Sequence, residues 1–109
     1  MKKNYIIKKS KDFTNIIKKS KYYKKRAFTI YIKDNDLDHS RFGISVTTNS
    51  GNAVIRNKIK RQMRMIINES KKDYKKNLDY IIIVKKPFIS YSYQEMREDY
   101  EKAIKSINS

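Results

Sequence analysis

Gly51-Asn52-Ala53-Val54-Ile55-Arg56-Asn57-Lys58-Ile59-Lys60-Arg61-Gln62-Met63-Arg64 is the stretch around which the chain is organised. Wound as an α-helix at about 100° per residue, it places Arg56, Asn57, Lys60, Arg61 and Arg64 within an arc of roughly 140°. Ile55, Ile59, Met63 and Ile66 fill a separate apolar stripe. One face can be buried and the other is a ladder of donors. Three of the chain's six arginines fall within the nine residues from Arg56 to Arg64, against twenty-one lysines overall. A guanidinium grips phosphate bidentately and stacks on bases, which a lysine point charge does not. Asn57 adds an amide inside the arc, whereas Lys58 projects about 100° from Asn57 and away from its centre. The plain alternative is a solvated basic face on an ordinary amphipathic helix.

On either side of this helix stand two strands. Residues 41–47 alternate, with Phe42, Ile44 and Val46 toward a core and Arg41, Gly43, Ser45 and Thr47 leaving a small polar surface that an extended ligand could occupy. Residues 79–87 form a β-branched run stopped by Pro87, the pattern of a central strand. Strand, helix and strand in that order predict a crossover unit. Asn52 is the expected N-cap, and Gly51 permits the tight turn before it.

Further out, residues 27–32 read as a strand with Phe28, Ile30 and Ile32 on one side and Ala27, Thr29 and Tyr31 on the other. The segment 34–39 carries alternate carboxylates like the opening of a calcium loop. His39 stands where the loop glycine belongs and Ser45 where the bidentate glutamate belongs, so it reads as a hairpin turn. His39, the single histidine, reads as a turn residue and not a general base. Lys18-Lys19-Ser20-Lys21-Tyr22-Tyr23-Lys24-Lys25-Arg26 interleaves rings with cations, a composition that stacks on unpaired bases or, alternatively, forms a solvated loop covering the core edge. A short helix is expected from Ser10, with Asp12 in its first turn and Phe13, Ile16 and Ile17 as its stripe. Residues 1–9 read as a flexible basic arm, and 71–77 as a charged extension or short second segment. Ser92-Tyr93-Gln94-Glu95 is a capping box opening a last helix, whose Tyr93, Met96, Tyr100, Ala103, Ile104 and Ile107 form a core stripe.

At 109 residues the chain suits a single RNA-binding domain, 1–109. The formal charge of +16 makes nucleic acid the natural partner, with binding that weakens steeply in salt. Zero cysteines exclude disulfides, thiolate catalysis and Cys-based zinc sites. Apolar runs fall short of the roughly 20 residues of a membrane span, and the N-terminus is charged too soon for a signal peptide, so a cytoplasmic protein is expected. A carboxylate pair or histidine cluster for metal or acid–base work is lacking, which disfavours an independent nuclease.

The helix stretch, with its glycine, Asn-Ala-Val lead-in, Arg-Asn pair and Lys-Arg-x-x-Arg at set offsets, resembles the arginine-rich helix of the bacterial ribonuclease P protein family. The likeness extends to the opening from Lys8 to Phe13, the Arg41-x-Gly-x-Ser-Val46 strand and the run from Asp79 to Pro87. It implies an α+β fold, a single-domain α/β sandwich in which helices pack a small mixed sheet with a left-handed βαβ crossover. It implies a protein subunit that helps a catalytic RNA remove the 5′ leader of precursor tRNA, with Mg²⁺ held mainly by the RNA and substrate phosphates and no catalytic or metal-binding residue in the protein. The implied partners are the catalytic RNA and precursor tRNA; membrane and DNA are not among them. Arg56, Asn57, Lys58, Lys60, Arg61 and Arg64 are then the RNA-binding set, and Phe13, Ile17, Tyr31, Arg41 and Ser45 the leader cleft. Two departures stand out. Thr47-Thr48-Asn49-Ser50 replaces the lysines usual before the motif glycine, and Ile17 occupies the place of a second cleft aromatic, which suggests weaker leader contacts offset by the run from Lys18 to Arg26. A basic structural RNA-binding protein, such as a ribosomal component, is the alternative role.

Overall fold

The computed structural model describes residues 6, 7, 15, 17, 18, 20–70, 74, 75 and 77–108. The elements in order are β1 (Lys21–Lys24), β2 (Phe28–Asp34), β3 (Arg41–Val46), α1 (Ala53–Glu69), β4 (Leu78–Val84) and α2 (Tyr93–Ile107), with 3-10 turns at Thr48–Ser50 and Lys86–Ser90. Residues 15, 17 and 18 are also helical; Ser10, Asp12, Phe13 and Ile16 of the expected first helix lie outside the described residues. Among the described residues no helix is long and apolar enough to cross a membrane.

The sheet runs β1-β2-β4-β3. β1 pairs with β2 and β2 with β4 antiparallel, whereas β3 and β4 are parallel, so α1 is the crossover between them. The expected hairpin turn at 34–39 is corrected here, because β4 lies between β2 and β3. The cause is the β4 sequence: a strand apolar on both faces is most stable with a neighbour on each side. The loop is instead tied to the start of β4, where the Asn35 N–H donates to the Asn77 carbonyl at 2.8 Å. Asn77 enters β4 through a left-handed conformation, φ +67°, which asparagine tolerates better than most residues. The segment 18–26 is likewise more ordered than a loop, since Lys21–Lys24 forms the exposed edge strand β1. Lysines are the usual protection for such an edge.

One sheet face carries the main core. Phe28, Ile30, Phe42, Val46, Tyr80, Ile82 and Val84 pack against Ile59, Met63, Ile66 and Ile67 of α1 and Met96, Tyr100, Ala103 and Ile104 of α2. Phe42 stacks on Tyr80 with centroids 5.4 Å apart, and Tyr74 meets both edge-on. The buried hydroxyls are satisfied, as Tyr74 and Tyr100 share a 2.8 Å hydrogen bond. Burial, first of all, pushes the Tyr100 pKa well above the ordinary tyrosine value.

Both helices start as their sequences dictate. The Asn52 side chain accepts from the Ile55 N–H at 3.0 Å. Gly51 has φ +146°, and a Cβ there would sit 2.9 Å from Ile55 Cγ2, so the turn into α1 requires glycine. Ser92 and Glu95 close a complete capping box at α2. Within the expected basic arm, Ile6 bridges Phe42 in parallel and Ile7 is buried, its N–H donating to the Phe42 carbonyl at 2.7 Å. The apolar pair therefore docks on the outer edge of β3.

Candidate nucleic-acid interface

Along α1, Ile59, Met63, Ile66 and Ile67 face the sheet, and the opposite side carries the donors. Asn57, Lys58, Arg61 and Arg64 are exposed; Arg56 and Lys60 are half-buried on the flank nearest the core. The grading follows from helical phase. Ile67 falls between Arg56 and Lys60 in projection and is buried, so these two sit at the margin of the packed face. No ion pair ties any of these cations among the described residues. Glu69, the one acid of α1, is engaged elsewhere: Tyr93 Oη donates to it at 2.8 Å and Arg97 Nη1 lies 3.1 Å away. Burial and then the Glu69 hydrogen bond push the Tyr93 pKa up to about 12. Arg56 Nε is buried and has no hydrogen-bond partner among the described residues. Such an arc presents fixed donors without its own counter-charges, which is what a phosphate backbone requires.

Ile55 departs from its expected place in the buried stripe. It is 42% exposed, beside the turn Lys86–Ser90 and the start of α2. With Phe88, Tyr91 and Tyr93 it lines a shallow cavity of about 320 Å³, and Lys58 stands at its rim. Lys58 thus flanks the cationic arc on the side away from Arg56.

The second sheet face holds the proposed cleft residues in registered rows. Tyr22, Tyr31, Ile81 and Gly43 lie side by side across the four strands, as do Lys24, Thr29, Ile83 and Ser45. Ile7 and Ile81 are buried here, with Ile17, Tyr31 and Ile83 packed partly buried around them. Ile17, Tyr31 and Ser45 therefore share one face, and each is half-buried. Phe13 lies outside the described residues. A third row is Lys33, Asp79 and Arg41. Arg41 belongs to the same face, but its fork is engaged: Nε donates to Asp79 Oδ1 at 2.9 Å and Nη2 to Oδ2 at 2.7 Å. Asp79 is buried and also accepts from Asn35 Nδ2 at 2.7 Å. His39 Nδ1 lies 3.1 Å from the exposed Asp38.

Two features escaped the sequence. Asp79 as the anchor of Arg41 required knowing that β3 and β4 are parallel and in register. Tyr22 as a neighbour of Tyr31 required recognising β1 as a strand; four residues, all exposed, give no burial alternation to read. The departure at Thr47-Thr48-Asn49-Ser50 has a local explanation. Ser50 is buried and its hydroxyl pairs with that of Thr47 at 2.8 Å, closing the 3-10 turn that leads to Gly51.

Comparison with known proteins gives one answer. The family model described as Ribonuclease P matches residues 1–108. A ribonuclease P protein component of Streptococcus pneumoniae is 38% identical over 99 residues, which cover 91% of this chain and 80% of that one. The solved RNase P protein of Staphylococcus aureus superimposes with a TM-score of 0.84 at 36% identity, covering 94% of each chain. That of Thermotoga maritima gives 0.81 at 31% identity, covering 91% of this chain and 94% of its own.

Proposed function

The chain belongs to the ribonuclease P protein family, and from that footing we propose that it assists a catalytic RNA in removing the 5′ leader of precursor tRNA. The observation that carries the proposal is the α1 arc, whose cations no acid of the described residues pairs. Arg56, Asn57, Lys60, Arg61 and Arg64, flanked by Lys58, bind folded RNA through its phosphates. The second sheet face receives the single-stranded leader, with Tyr31 as a stacking surface, Ser45 as a small polar contact and Ile17 beside them. The family likeness adds Phe13, which lies outside the described residues, to the leader-binding set. Arg41 stands on the same face with its charge balanced by Asp79, joining β3 to β4 beneath the leader.

The hydrolysis itself is the work of the RNA, with Mg²⁺ held by RNA and substrate phosphates. Among the described residues no three His, Asp or Glu side chains gather where an ion could sit. The part of this chain is to raise substrate affinity and to screen the phosphates that crowd around the cleavage site, which lowers the metal concentration needed. It does so in the cytoplasm, as one subunit of a ribonucleoprotein.

Reconstitution with the cognate catalytic RNA tests the proposal. At low Mg²⁺ the protein should increase 5′ cleavage and favour leader-bearing over leaderless substrate. Equal handling of both substrates with no change in metal requirement would instead indicate a structural RNA-binding protein, and cleavage by protein alone would indicate an independent nuclease.

A further inference from the structure

Tyr22 is 63% exposed at the outer edge of the sheet, on the face that carries Tyr31. The two rings lie 5.9 Å apart, tilted by 41°. The β1–β2 hairpin is closed by the Lys25 N–H donating to the Phe28 carbonyl, and the residue after β4 pins its turn, the Lys85 N–H donating to the Ala27 carbonyl, each at 2.8 Å. Lys85 Nζ also donates to the Lys25 carbonyl. Lys24 shares the Tyr22 face of β1, and Lys25 and Arg26 follow at the turn, all exposed. An exposed ring adds nothing to edge protection, which the lysines of β1 already provide.

We propose that Tyr22 is an outer stacking platform for a base of the single-stranded 5′ leader, one position beyond the base at Tyr31, with Lys24 contacting the adjoining phosphate. The proposal rests on the reading of this face as the leader cleft and extends it across the β2–β1 boundary. Two observations identify the occupant. The ring continues the row Gly43, Ile81, Tyr31 without a break, and the residues around it are cationic, matching a polyanion with aromatic bases. Ile17, half-buried on this face, is aliphatic and offers no ring; Tyr22 supplies a second ring beside Tyr31.

The test compares Tyr22→Ala, Tyr22→Phe and Tyr31→Ala in the reconstituted ribonucleoprotein, measuring affinity for precursor tRNA with no leader, a leader of two nucleotides and a long leader. Tyr22→Ala should weaken binding of the long-leader substrate about fivefold or more, leave the leaderless and two-nucleotide substrates unchanged, and be rescued by Tyr22→Phe. A 5-iodouridine placed along the long leader should crosslink to Tyr22 on irradiation. Unchanged long-leader binding without a crosslink, or an equal loss on all three substrates, overturns the platform. If Tyr31→Ala also leaves leader preference intact, the leader-cleft reading itself falls; if Tyr31→Ala abolishes the preference and Tyr22→Ala does not, only the extension does.

Discussion

Arg41 shows how one residue can hold a surface in place while belonging to it. Its side chain is 31% exposed and Asp79 only 3%, so the pair lies at the boundary between solvent and core. Removing Arg41 would leave a buried carboxylate with Asn35 as its remaining neutral donor, and an uncompensated buried charge is costly. Arg41→Ala should therefore destabilise the fold by about 2–4 kcal/mol, the partial exposure placing it at the lower side of the range for buried pairs. Urea unfolding checks the value, and Arg41→Ala with Asp79→Asn should lose less than the sum of the two single changes. Additive losses would mean that the pair carries no coupling. On α1, by contrast, Arg61 and Arg64 have the same guanidinium and no acid partner among the described residues, and both are exposed.

At the scale of elements, the two helices were legible because their signals are local. The Asn52 cap and the Ser92–Glu95 box each span only four residues and need no tertiary knowledge. The Ser92 backbone hydrogen bond, and then its side chain, hold the Glu95 carboxyl below the ordinary range. A carboxyl with a lowered folded pKa stabilises the protein above its unfolded pKa and loses that contribution as pH falls through the folded value. Compared with Glu95→Gln, the native chain should thus gain less relative stability as pH drops below 4.5, and thermal unfolding at pH 7 and pH 3 measures the narrowing gap. A constant gap would show that the carboxylate is not coupled to the cap. Strand order was less legible. Alternation marked β2 and β3 correctly, including which of Phe42, Ile44, Arg41 and Ser45 share a face, yet pairing is a long-range property and the loop 34–39 looked like a hairpin. Only the doubly apolar β4 hinted that it would take the inner position. Ile55 was assigned to the core by phase alone, which gives the direction a side chain points and not what stands opposite it; the residue is 42% exposed. The left hand of the crossover came from resemblance, not from any residue pattern.

Over the whole molecule, charge is distributed unevenly among the elements. The α2 sequence holds four acids against three bases, while the chain as a whole carries +16. The α1 sequence holds five bases against the single acid Glu69, and β1 with the turn after it adds Lys21, Lys24, Lys25 and Arg26, so these elements attract a polyanion more than α2 does. That polarity orients the approach of RNA before any contact forms. The most direct test of the account is the salt dependence of binding to the catalytic RNA, measured for the native protein and for Arg56→Ala, Arg61→Ala and Arg64→Ala combined. If the α1 arc docks on phosphates, the slope of log affinity against log salt should flatten by about two to three counterion units and affinity at low salt should fall. Parallel salt lines with unchanged affinity would contradict the account, leaving α1 as a solvated helix with a basic face.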